Sequence, residues 1–62
     1  MNDWERQIEQ LDLSHLRISM IKKMHNFSSL RKLMLLDNKI AVISGLENLK
    51  SLEELNLEKN KI

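Results

Sequence analysis

Within 30-LRKLMLLDNKI-40 the apolar positions follow one period and then switch to another. Leu33 and Leu35 are two apart, which puts both on one face of a short extended strand and Met34 on the other. Beyond Asn38 the apolar residues recur at every third position, at Ile40, Ile43, Leu46 and Leu49. That spacing suits three-residue turns of 3₁₀ type, or a loose helix keeping one edge inward. The pattern predicts a strand, a turn and a short helical return.

The phrase is then repeated. In 52-LEELNLEKNKI-62, Leu52, Leu55, Leu57, Asn60, Lys61 and Ile62 fall 22 residues after Leu30, Leu33, Leu35, Asn38, Lys39 and Ile40. Carried backward, the same frame lands on Ile8, Leu11, Leu13, Leu16 and Ile18. It also pairs Ile21 with Ile43, Met24 with Leu46 and Phe27 with Leu49. The implied organisation is a leader over residues 1–7, repeats over 8–29 and 30–51, and a partial repeat over 52–62. With a single glycine and no proline, propensity alone favours helix, but the period is the stronger signal. A coiled coil is disfavoured, because the apolar intervals hold no 3.5-residue seam over successive heptads.

A chain of 62 residues supports one small domain with a thin core. The absence of cysteine removes any disulfide framework and suits a reducing, intracellular compartment. Ten Lys/Arg against nine Asp/Glu, interspersed, leave a formal charge of +1. Such a balance makes nucleic acid a poor partner. No apolar run has the length of a membrane span, and Met1 is followed by Asn-Asp-Trp-Glu-Arg rather than a basic and then apolar leader.

The framework L-x-x-L-x-L-x-x-N-x-I-x-x-I-x-x-L-x-x-L resembles the leucine-rich repeat, in particular its 22-residue intracellular subclass. That subclass includes a regulatory subunit of protein phosphatase 1, an axonemal dynein light chain, a spliceosomal protein and many ciliary proteins. Residues 30–62 fit it throughout, and residues 8–29 fit except at Leu16. The resemblance implies an α/β fold, a right-handed solenoid of about two and a half repeats. Parallel strands would line a concave face, with 3₁₀ or helical turns on the convex side, and the function implied is protein recognition. Internalin-like secreted repeat proteins share the period, but they require a leader.

On such a solenoid the outward positions form columns across the concave face: Gln10, Lys32, Glu54; Asp12, Met34, Asn56; Ser14, Leu36, Glu58. Met34 and Leu36 are the two apolar members, rimmed by charge, as an anchor in a binding surface would be. The partner-binding candidates are therefore Asp12, Lys32, Met34, Leu36, Glu54, Asn56 and Glu58. Asn38 and Asn60 recur at the turn, where an amide can give two donors and an acceptor to neighbouring coils, so a structural ladder is expected there. Leu16 cannot serve as such a rung. Asn2 or Asp3 can cap a short helix carrying Trp4, Ile8 and Leu11 along one edge, with Trp4 as an N-terminal cap.

The histidines, His15 and His25, fall at loop or convex positions with no ligand-spaced partners. Asp12, Ser14 and His15 are neighbours in sequence but not on one strand face, so no nucleophilic triad is expected. Arg17, Lys39 and Lys61 recur at one edge, most simply as solubilising charge. The sequence therefore points to a non-catalytic, cofactor-free protein-interaction module, expected to be the N-terminal part of a longer repeat protein. A component packed permanently into a ciliary or ribonucleoprotein assembly is the alternative, and an uncapped C-terminal end suggests self-association.

Overall fold

The computed structural model describes residues 4–62. The proposed capping residues Asn2 and Asp3 lie outside them. One helical turn, α1 (Trp4–Gln7), precedes three strands, β1 (Gln10–Asp12), β2 (Lys32–Met34) and β3 (Glu54–Asn56). The strands form an open, parallel sheet in the order β1-β2-β3. Leu11 pairs with Leu33 and Leu33 with Leu55, so the register advances by one 22-residue repeat per strand. Parallel neighbours require a long return connection, and residues 13–31 and 35–53 supply it.

The backbone bonding repeats with the same step. At one end of the sheet Arg31 and Lys32 donate to the Glu9 carbonyl, as Glu53 and Glu54 donate to Arg31. At the other, Leu13 donates to Met34 and Leu35 to Asn56, each at 2.8 Å. Beyond the strands His15 donates to Leu36, Asp37 to Glu58, Lys39 to Ile18 and Lys61 to Ile40. Three residues at equivalent repeat positions, His15, Asp37 and Lys59, take left-handed backbone conformations with φ of 61, 57 and 58°. The chain thus leaves each strand through the same turn.

The return segments are not regular helices. Each contains two successive turns closed by i→i+3 bonds, Phe27 to Met24 and Leu30 to Phe27, then Leu49 to Leu46 and Leu52 to Leu49. Three-residue turns carry Met24, Phe27 and Leu30 onto one edge, and all three are buried. They join Ile21, Leu33, Leu35, Ile40 and Leu49 as the core. Ile21 is 7% exposed, whereas its counterpart Ile43 is 52% exposed. Ile21 owes its burial to the Gly45 segment, which presses on its backbone.

Gly45 adopts φ +76°, and a Cβ there would run into the Ile21 carbonyl oxygen. Its repeat counterpart, Lys23, adopts φ 60° without being glycine. The expected Trp4/Ile8/Leu11 helical edge does not form. The Ile8 amide closes α1 on the Trp4 carbonyl, and Leu11 already belongs to β1. Trp4 is still 49% exposed, its ring standing edge-on to Phe27 at a centroid distance of 5.9 Å.

Candidate functional site

The register sets the outward side chains in columns. Gln10, Lys32 and Glu54 are consecutive partners across the sheet, and so are Asp12, Met34 and Asn56. Ser14, Leu36 and Glu58 follow at the ends of the strands, where the inter-coil bonds hold them in the same step. Met34 and Leu36 are half-buried, side by side in sequence on the middle coil. Lys32 reaches across to Glu54 at 3.4 Å, which offsets charge within its column. Gln10, Leu11, Asp12, Lys32 and Met34 line a shallow depression on this face.

Asp12 and Asn56 have a local role that the spacing of leucines does not reveal. The Asp12 carboxylate accepts from the Ser14 amide, and the Asn56 side-chain oxygen accepts from the Glu58 amide, both at 2.9 Å. These are Asx turns that steer the chain out of β1 and β3. The Ser14 hydroxyl and amide together hold the Asp12 carboxyl below its ordinary pKa. An Asx residue two positions before a turn amide was the available sequence signal. Met34 cannot make this bond, so the middle column presents an apolar side chain between two occupied acceptors.

Asn38 is 6% exposed and its amide is fully used. Its oxygen accepts from Leu16 at 3.1 Å and Ile18 at 2.9 Å, and its nitrogen donates to Leu13 at 3.1 Å, Leu35 at 3.0 Å and Leu36 at 3.3 Å. Asn60 repeats the arrangement one coil on, accepting from Ile40 and donating to Leu35, Leu57 and Glu58. Each side chain reaches back to the preceding coil. Leu16 at the same position of the first coil is 57% exposed, and only its backbone amide takes part.

Charged side chains also pair across coils. Arg31 makes a two-bond contact with Glu53 at 3.0 and 3.2 Å and lies 3.9 Å from Glu9. The Glu53 carboxylate raises the Arg31 guanidinium above its ordinary pKa. His15 meets Asp37 at 2.8 Å. The Asp12 carboxylate is occupied by Ser14 instead, with His15 near enough to help lower its pKa. His25 lies in an exposed turn. Among the described residues no three His, Asp or Glu side chains cluster as a metal site would require, and no helix is long and apolar enough to cross a membrane.

No curated protein and no solved structure gave a significant match. The family model described as leucine rich repeats (2 copies) matches residues 28–62, more than half of the chain. Proteins built from these repeats generally mediate protein–protein interaction and are typically non-enzymatic. Three parallel strands in 22-residue register, with a matching family model over the second repeat and the partial third, establish that the chain belongs to the leucine-rich repeat family.

Proposed function

We propose that the chain is a non-catalytic protein-interaction module that engages a protein partner through the concave face of a right-handed solenoid of the 22-residue intracellular subclass. Residues 1–7 act as the capping leader and 8–62 as the repeats, with 3₁₀-type turns on the convex side. Met34 and Leu36 form the anchor, and Asp12, Lys32, Glu54, Asn56 and Glu58 form the polar rim. The observation that carries this reading is the placing of two half-buried apolar side chains at the centre of registered, otherwise polar columns. Anchors of this kind dominate binding when surrounded by a rim that excludes water. An intracellular setting belongs to the proposal, supported by the cysteine-free sequence.

Cross-linking mass spectrometry from cell extract, using the chain and its Met34→Glu/Leu36→Glu variant, tests the reading. A partner cross-linked beside the sheet by the parent and lost with the variant supports it. Equal capture by both refutes it, given matched circular dichroism.

A second reading has its own observation. Leu55, Val42, Ile43 and Ile62, toward the C-terminal end of the described residues, are each exposed. Apolar surface of this kind marks an interface. It suits permanent packing into a larger assembly, ciliary or ribonucleoprotein, or self-association through that end. Light scattering at increasing concentration separates these, since self-association raises the mass and a joint to other components leaves the isolated chain monomeric.

A further inference from the structure

Columns of charge elsewhere on the repeats are complementary. Glu9, Arg31 and Glu53 alternate in sign, Lys32 faces Glu54, and His15 faces Asp37. Arg17, Lys39 and Lys61 break this rule. They occupy one repeat position on three successive coils and carry the same sign. The backbone bonds from Lys39 to Ile18 and from Lys61 to Ile40 hold Lys39 and Lys61 in step, while Arg17 reaches the same depression from a left-handed backbone with φ 59°. Adjacent coils lie about 4.8 Å apart at the sheet. Like charges directly opposite one another on neighbouring strands repel, and the same holds one turn beyond.

These three side chains, with Lys59, line a depression of 510 Å³ that also involves His15, Asp37, Asn38 and Asn60. Among the described residues none of the four cations forms an ion pair. The single carboxylate at the depression, Asp37, is engaged by His15.

We propose that this edge receives an extended acidic segment of a partner protein, lying across the coils, whose carboxylates relieve the stacked positive charge. The site is separate from the concave face. An extended strand sets alternate side chains on one side about 6.7 Å apart, and the flexible Lys and Arg stems span the mismatch with the coil spacing. Nucleic acid fits less well. The Asn38 and Asn60 amides, the neutral groups able to read a base edge, are committed to the backbone. Neither the phenyl nor the indole ring is there, since Phe27 is buried and Trp4 packs on it, and the imidazole at the depression, His15, is held by Asp37.

Fluorescence anisotropy with a labelled peptide of alternating Glu and Ser tests the proposal. A single-stranded oligonucleotide of equal charge serves as the competing probe. At low salt, Lys39→Gln/Lys61→Gln is expected to weaken peptide binding about tenfold, and the charge-matched Lys22→Gln/Lys50→Gln less than about twofold. Met34→Ala leaves it unchanged, which separates this site from the concave-face reading. Equal losses in both charge variants, no peptide binding, or tighter binding of the oligonucleotide would overturn the proposal. Amide shifts of the parent chain on peptide addition supply a measurement independent of variant folding. Changes centred on residues 15–17, 37–39 and 59–61 support it, and changes centred elsewhere refute it.

Discussion

Replacing Asn38 with leucine makes the second coil resemble the first, where Leu16 holds the same place. The substitution removes five hydrogen bonds, but their loss is unequal. The Leu35 carbonyl keeps a partner in Asn60, and the Leu36 carbonyl keeps the His15 amide. The Leu16 amide sits on an exposed residue and can turn to water. What remains is the Leu13 carbonyl and the Ile18 amide, both on half-buried residues packed against the core. A buried polar group left without a partner costs about 1–3 kcal/mol, so the two left by Asn38→Leu are expected to cost about 2–6 kcal/mol together. For a domain of this size each kcal/mol lowers the melting temperature by roughly 4–8 °C.

Urea denaturation followed by circular dichroism measures this loss, with Asn48→Leu as an exposed control expected within about 0.5 kcal/mol of the parent. Asn38→Asp should be at least as damaging as Asn38→Leu, because it keeps the acceptor while aiming a carboxylate at three carbonyls. The reasoning fails if Asn38→Leu costs no more than the control.

Other predictions follow from single contacts. Gly45→Ala should destabilise by more than about 1 kcal/mol, since it adds a left-handed penalty to a collision with the Ile21 carbonyl, whereas Lys23→Gly at the equivalent position should stabilise by about 0.5 kcal/mol. Opposite signs in thermal melts check the pair. Because Ser14 lowers the Asp12 pKa in the folded chain, its contribution is complete above the unfolded carboxylate value, near about 3.9, and is lost as pH falls through the folded one. Asp12→Asn keeps the acceptor for Ser14 and should flatten the acid limb of the stability profile, measured by denaturant midpoints between about pH 5 and 2.5. Relief of the like-charged column makes Lys39→Gln stabilising by a few tenths of a kcal/mol at low salt, an effect that added salt should abolish.

The parallel register was legible because a period-two leucine pair repeated every 22 residues leaves little choice over which residues lie opposite: Leu11, Leu33 and Leu55. The leader was less legible. Trp4, Ile8 and Leu11 have helical spacing, yet Leu11 is also a strand position, and the sheet register outweighs one more helical turn. Ile21 and Ile43 are equivalent in sequence and differ in burial because coverage comes from the next coil, which is not a property of the residue. The left-handed turn at His15, Asp37 and Lys59 carries only a weak residue-type signal, since His and Asp favour that conformation more than most residues and Lys does not. At the candidate face the columns could be drawn from the repeat, but Asp12 and Asn56 proved to be turn-forming residues as well as surface ones. The pairing of Arg31 with Glu53 and of His15 with Asp37 depends on the 22-residue step bringing distant charges side by side.

Coil stacked on coil is tested most directly by nuclear magnetic resonance of the methyl-labelled chain, through nuclear Overhauser contacts and couplings across hydrogen bonds. The account predicts contacts from Leu11 to Leu33 and from Leu33 to Leu55, and couplings from the Leu13 amide to the Met34 carbonyl and from the Leu35 amide to the Asn56 carbonyl. Contacts confined to neighbours three and four residues apart along 30–40, as in a continuous helix, would contradict it.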